Sequence, residues 1–263
     1  MVFHNSPKKY FIIAILLIAI TVSFFAEKTL PGDFLYSTKI YVNEKIMGAI
    51  SITDKRKAYF ETDIASRRLG EVEKLAEKNK LTEKTIEYLR IRFDKNISVF
   101  NEISERIKEK DFTGSSSVLS YLESSLDAHY GFLKKIENKK EYGQKWRDLI
   151  ESVNKKLVQI SRERRNTEEV SFNKNIAEEK INMEESLKIA ESKIDEVMKI
   201  IERKKNEKNN VFEAEEKLKE AIAHFAEGKA KLDIPAYADA FALFKRAERE
   251  AESAKTLASF IDT

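Results

Sequence analysis

From Ala58 to Ala258 the apolar residues recur at intervals of three and four, with charged residues filling the gaps between them. That period is helical, because positions three and four apart share one face of an α-helix whereas a half-buried strand alternates every two. One stripe runs through Ala58, Ala65, Leu69, Val72 and Ala76, broadened by Tyr59 and Phe60. After Asn79-Lys80-Leu81-Thr82 a second runs through Ile86, Leu89, Phe93, Ile97, Phe100, Ile103 and Ile107. Beyond a Ser/Gly-rich break at 111–117 come Val118, Leu122, Leu126, His129, Leu133 and Ile136. A loop over 138–143 leads into Trp146, Leu149, Ile150, Val153, Leu157 and Ile160. The stripe shifts register near Asn166-Thr167 and resumes through Ile176, Met183, Leu187, Ala190, Ile194, Val197 and Ile201, which predicts one long helix over 167–208. Lys180 and Asn173 interrupt this last stripe and favour packing inside the chain over a coiled coil between chains.

Each such helix has one apolar face and one charged face, so none is stable alone and each needs a neighbour. The last two are expected to form a hairpin: Phe212, Leu218, Ile222 and Phe225, a turn at Asp233-Ile234-Pro235, then Tyr237, Phe241, Phe244, Ala247, Ala251, Ala254 and Ala258. The alanines predict a close approach of the partner helix. Short connections imply antiparallel neighbours. The expected fold is therefore all-α, an elongated antiparallel bundle of about seven to eight amphipathic helices behind an N-terminal transmembrane helix.

Composition removes the alternatives. The chain holds 7 Gly and 3 Pro in 263 residues, about 4% against roughly 12% in average usage. A sandwich, barrel or propeller needs such turn residues every 8–12 positions or so. Zero Cys excludes a disulfide framework, a thiolate metal site and a cysteine nucleophile. A net charge of +3 from 48 basic and 45 acidic residues leaves no single-sign field to steer nucleic acid.

Phe11 to Ala26 stands apart from this charged chain: only Thr21 and Ser23 are polar, and none of it is charged. Sixteen residues at 1.5 Å rise span about 24 Å, the short end of what crosses a hydrocarbon core. Lys8 and Lys9 precede the run and Glu27-Lys28 follow it without net charge. The positive-inside rule then predicts a cytoplasmic tail over 1–9, an anchor over 10–26 and an extracytoplasmic remainder. A cleaved signal peptide is the rival reading. Cleavage after Ala26 would put the bulky Phe24 at −3, where a small residue is needed. A third reading is a buried helix of a water-soluble fold.

Pro31-Gly32-Asp33 is a turn ending in an N-cap residue, so a helix is predicted to open at Phe34 with Phe34, Leu35, Ile40, Tyr41, Ile46 and Met47 as its apolar surface. Gly48 and Ser51 to Asp54 end it. The string Pro-Gly-Asp-x-Leu-Tyr-x-x-Lys over 31–39, followed by Ala65-Ser66-Arg67-Arg68-Leu69, resembles the bacterial helical family known as domain of unknown function 5667. The resemblance covers about residues 30–110. It implies a helical domain just outside a transmembrane segment, in surface proteins and beside modules of the anti-sigma-factor kind, and it supplies no catalytic residues. The organisation expected is thus 27–111 as the family-like domain, 112–208 as continuation of the bundle and 209–263 as the hairpin. Residues 214–254 also look like a single tetratricopeptide-type unit, although no 34-residue period repeats and such arrays need about three units.

Chemistry is sparse. His4, His129 and His224 are far apart in sequence and no His-Glu-x-x-His occurs. His129, on an apolar stripe, is expected to be a buried or boundary residue. A Ser-His-acid site has no Gly-x-Ser-x-Gly elbow to mark it. No phosphate-cradling glycine loop occurs. Glu168-Glu169, Glu178-Glu179 and Glu184-Glu185 read as solvated ion-pair faces, as do the basic runs Arg162 to Arg165, Lys139-Lys140 and Arg203 to Lys205. No catalytic residue, cofactor or metal is assigned. The expected function is a membrane-anchored structural or protein-interaction module at the cell envelope, whose partner is a protein or an envelope polymer and not nucleic acid. The alternative is the ectodomain of an envelope sensor or anti-sigma-type system acting through a membrane partner.

Overall fold

The computed structural model describes residues 7–139, 142–173, 179–232 and 237–259. Helices account for nearly all of them, and no strand occurs among the described residues. The chain divides into two compact units, residues 1–53 and 54–263.

The first unit opens with α1, Pro7–Glu27. Leu30 to Asp33 then form a tight turn, with the Asp33 amide donating to the Leu30 carbonyl over 3.0 Å. Gly32 sits at φ +103°, the left-handed position that a turn with Pro at its second residue assigns to glycine. Asp33 does not cap the next helix. Its carboxylate turns back to accept the Leu30 amide at 2.8 Å, so the helix starts two residues later than its sequence predicts. It runs through α2 (Tyr36–Thr38), a π-helical turn (Lys39–Asn43) and α3 (Glu44–Ile50). The predicted apolar surface is mostly not buried: Ile40 is, but Phe34 is 96% exposed, and Tyr41, Ile46 and Met47 also face outward.

The second unit contains α4 (Asp54–Glu77), α5 (Glu83–Lys108), α6 (Phe112–Lys139), α7 (Gln144–Asn173), α8 (Glu179–Asn206), α9 (Phe212–Lys231) and α10 (Tyr237–Ser259). Their ends obey local chemistry. Thr82 accepts the Thr85 amide at 3.2 Å as N-cap of α5. Asn79 and Lys208 take positive φ where α4 and α8 stop, as helix C-termini commonly require. The Ser/Gly-rich segment is not the loop its composition suggests. Asp111 accepts the Gly114 amide at 2.8 Å, α6 begins at Phe112, and Ser115 and Ser116 are buried in its first turns.

Packing proceeds through consecutive pairs. α4 lies against α5 and α6, and α5 and α6 both lie against α7. α10 lies against α9 and α8, and joins α6. All seven residues predicted on the α5 stripe are buried, as are Trp146, Leu149, Val153 and Ile160 of α7. The helix predicted over 167–208 does not open at Thr167: Thr167 to Asn173 belong to α7, which begins at Gln144, and α8 is described from Glu179 to Asn206. Ile176 lies outside the described residues, as does the predicted turn at Asp233-Ile234-Pro235. On α9, Leu218 is buried and Phe225 packs against the core as predicted, whereas Phe212 and Ile222 are exposed, and Ala214, Ala221 and Gly228 complete the inner face. On α10, Ala247, Ala251, Ala254 and Ala258 are fully buried around Phe244. α8 closes a core with α9 and α10 through Ile194, Val197 and Ile201, so this helix is consumed inside the chain.

Candidate functional site

Ser66 and Glu73 are seven residues apart on α4, two turns along one helix face. His129 of α6 fits between them. Its Nε2 stands 2.7 Å from Ser66 Oγ and its Nδ1 stands 2.8 Å from Glu73 Oε1. Serine, histidine and carboxylate thus stand in the order that activates a serine nucleophile. With Glu73 ionised, Nδ1 carries the proton, leaving Nε2 to accept from the Ser66 hydroxyl. His129 is fully buried and Glu73 nearly so. Burial pushes the Glu73 carboxyl up, and the adjacent His129 pulls it back.

The surroundings suit locking better than turnover. Ser66 lies in the middle of α4, where backbone amides are committed to the helix and none is left to hold an oxyanion. The cavity described below is not lined by Ser66 or His129. Arg68 and Glu71, one turn along the same helix, form a buried ion pair at 2.8 Å. A charged stripe that sequence assigns to solvent is therefore an inner face of α4.

His224 has a different setting. Its Nδ1 is 3.0 Å from the Glu220 carbonyl and 2.6 Å from Glu250 Oε2, near the surface of the α9–α10 pair. The structure does not bring it to His129's network. His4 lies outside the described residues.

The second polar cluster is the seam where α6 meets α10. Small residues are buried on both helices, Ser120 and Ser124 on α6 and Ala251, Ser253 and Ala254 on α10. Ser253 Oγ donates to the Ser124 carbonyl at 3.0 Å. Charges border the contact. Buried Arg164 of α7 donates to both Glu123 and Glu168. Ser116 donates to Glu168 at 3.1 Å, and Arg249 of α10 stands 3.8 Å from the same carboxylate. Burial, and then the Arg164 charge, hold the Arg249 guanidinium below its usual range. Arg164 and Glu168 are thus parts of an inner joint and not members of solvated runs; Lys204 is likewise buried. Glu184 and Glu185 are exposed, as expected, whereas the side chains of Lys139 and Lys140 and of Glu178 and Glu179 lie outside the described residues.

A cavity of about 290 Å³ opens beside the seam, lined by Tyr59, Ser120, Tyr121, Lys193, Arg249 and Glu252 among others. Tyr59 and Tyr121 meet edge to face at 5.1 Å. The Tyr121 hydroxyl donates to Asp63 at 2.7 Å, and burial together with that carboxylate pushes its ionisation upward. The lining charges offset one another, which makes the cavity a polar gap between helices without a preferred sign of ligand. Among the described residues no group of three or more His, Asp and Glu side chains is placed to hold a metal ion.

Among the described residues, too, no helix is long and apolar enough to cross a membrane. The side chains of residues 1–13 and 16 are outside that description.

Sequence could have flagged Ser66 and Glu73 only jointly with His129, as polar residues seven apart on one helix facing a histidine on another's apolar stripe. No signal in the sequence marks Arg68 or Arg164 as buried.

Residues 28–185 match the family model of a domain of unknown function (DUF5667), and because they make up more than half of the 263-residue chain, the chain belongs to that family. The match extends well past the 30–110 suggested by the opening motif and takes in α4 to α7 and the start of α8. The tetratricopeptide-like stretch lies beyond it. No curated protein and no solved structure matches the chain.

Proposed function

We propose that this member of the DUF5667 family is a membrane-anchored helical module in which Phe11 to Ala26 is a single-pass anchor and the helical unit from Asp54 onward is an extracytoplasmic structural or protein-interaction domain. One contrast carries the reading. The apolar segment is free of charge over sixteen residues and, where described, directs Ile15, Leu17, Ile18, Ile20, Phe24 and Phe25 outward. The unit from Asp54 onward is densely and evenly charged and buries most of its apolar stripes, exposing only scattered residues such as Ile91, Val158 and Phe212. Exposed leucine and isoleucine rows of that length are costly in water and favourable in lipid.

The chemistry of the second unit supports a scaffold role in this proposal. Its polar networks join helices: Ser66, His129 and Glu73 tie α4 to α6, and Arg164 with Glu168 and Arg249 ties α7 to α10. A buried network with its partners supplied rigidifies a bundle and fixes its register. A rigid, evenly charged helical surface on an anchor suits a docking or spacing role at the envelope.

The test is sidedness. The chain has no cysteine, so Lys219→Cys on the exposed side of α9 gives one thiol. A membrane-impermeant maleimide is expected to label it in intact spheroplasts of a bacterial host. Labelling that requires lysis would contradict the reading.

A further inference from the structure

The helix from Tyr36 to Ile50 is patterned inside out. In water, a helix buries its apolar stripe and exposes its charges. Here Lys39 and Asn43 are among the buried residues of the π-helical turn. Tyr41, Val42, Ile46, Met47 and Ile50 are exposed, and α3 buries none of its residues. The inner face also holds Tyr36 and Ile40, so it is mixed, but buried polar groups beneath an apolar outer face are the arrangement an apolar medium demands, because there the polar groups must be satisfied by protein.

The inner contacts fix where this helix sits. Asn43 reaches α1 three times: Ser23 Oγ donates to Asn43 Oδ1 at 2.6 Å, and Asn43 Nδ2 donates to the Ser23 carbonyl at 2.9 Å and to Glu27 Oε1 at 2.6 Å. Lys39 Nζ donates to the Thr29 carbonyl at 3.0 Å. The pairs run antiparallel, from Thr29 with Lys39 back to Ser23 with Asn43. Ser23 lies inside the uncharged run, three residues before its end at Ala26, which is about 4–5 Å along the helix axis. The π-helical turn is what brings Lys39, Ile40 and Asn43 together onto α1; such turns shift register locally.

We propose that the helix 36–50 is a second membrane element, lying in the boundary between headgroups and acyl chains beside α1, with Tyr41, Val42, Ile46, Met47 and Ile50 in contact with lipid. This rests on the reading of Phe11 to Ala26 as an anchor, and it turns that anchor from a lone helix into a helical hairpin held by Asn43. The occupant of the exposed apolar surface is lipid because the helix packs on α1 within the same unit, and α1 exposes apolar rows of its own. Lys45, on the exposed side, has a stem long enough to keep its ammonium at headgroup level, and Tyr41 suits the aromatic zone of the interface.

Nitroxide depth measurement tests this on the full chain, reconstituted in vesicles of phosphatidylethanolamine and phosphatidylglycerol. Single labels go at Met47→Cys, Ile50→Cys, Leu17→Cys in α1 and Lys219→Cys in the charged unit. The expected result is that labels at 47 and 50, like the label at 17, collide more with oxygen than with a water-soluble nickel chelate, while 219 shows the reverse. If 47 and 50 behave as 219 does while 17 reports lipid, the boundary helix is wrong and the anchor stands. If 17 itself reports water, the anchor reading falls and this inference with it. Asn43→Leu adds a check on the tie to α1: the label at 47 is expected to become more mobile in that background, and an unchanged spectrum would contradict the role given to Asn43.

Discussion

Gly228 of α9 lies so close to Phe244 of α10 that a β-carbon at position 228 would stand 2.7 Å from the ring's Cε1 and 3.3 Å from the Leu243 β-carbon. Phe244 is fully buried and packs against Phe225, so its ring can withdraw only by displacing core neighbours. In an ordinary helix interior Gly to Ala gains about 1 kcal/mol. At this crossing, overpacking is expected to outweigh that gain, for a net loss of roughly 1–2 kcal/mol in Gly228→Ala. Urea denaturation of the full chain in detergent checks it, and a stabilised variant would refute the close-approach account.

His129→Ala is expected to cost about 3 kcal/mol, more than the cavity alone explains, because it strands the buried Glu73 carboxyl. Glu73 Oε2 already has no hydrogen-bond partner, so the loss of His129 leaves the group without its charge-assisted contact. Ser66→Ala, which removes one hydroxyl at the other end, should cost about 1 kcal/mol. A serine-reactive fluorophosphonate is expected to leave Ser66 unlabelled in the native chain. Labelling there would mean that the Ser-His-Glu relay is open to substrate and that the locking role is wrong.

The pH dependence of stability has a defined sign at the α5–α7 contact. Burial first, and then a hydrogen bond and repulsion from Glu105, push the Glu163 carboxyl from 4.5 to about 7. The folded state therefore holds this proton where the unfolded chain has lost it. Glu163's contribution to stability is full below pH 4.5 and falls as pH rises through about 7. Glu163→Gln should flatten that part of the profile, measured as the urea midpoint against pH relative to wild type. An unchanged slope would show that Glu163 does not hold this proton in the folded state.

Arg164→Met tests the joint between α7 and α10. It removes the cation between Glu123 and Glu168 and leaves Ser116 and Arg249 beside Glu168. Breaking a buried ion pair from one side costs roughly 3–5 kcal/mol; the Arg249 charge nearby should hold this loss to about 2–4 kcal/mol. Unfolding of the double variant Arg164→Met with Glu168→Gln is expected to recover part of that loss, and strict additivity of the two would argue against a shared network.

The helices of the second unit were legible in the sequence because each carries a stripe whose period survives folding. The α5 residues from Ile86 to Ile107 and the α10 alanines illustrate it. What escaped has physical causes. Thr113 to Ser117 look like a loop by residue type, but the Asp111 cap and close packing of α6 against its neighbours make small residues an asset inside a helix. Arg68, Glu71, Glu73 and Arg164 look solvated in a one-stripe reading. They are buried because α4 touches more than one helix, and because Arg164 faces a joint that only the tertiary arrangement creates. Ser66 and His129 are 63 residues apart, and nothing local signals their meeting. The helix 36–50 was legible as a helix and misjudged in its outer face, since a pattern that buries Asn43 and Lys39 makes sense only with α1 beside it.

The central claim is that the uncharged N-terminal helix holds a charged bundle on a membrane, and alkaline carbonate extraction of membranes containing the full chain tests it most directly. The wild-type chain is expected to remain in the membrane pellet, and a variant with Ile15→Glu and Ile18→Glu to be released into the supernatant with its bundle folded by circular dichroism. A wild-type chain that is released as readily as that variant would contradict the account.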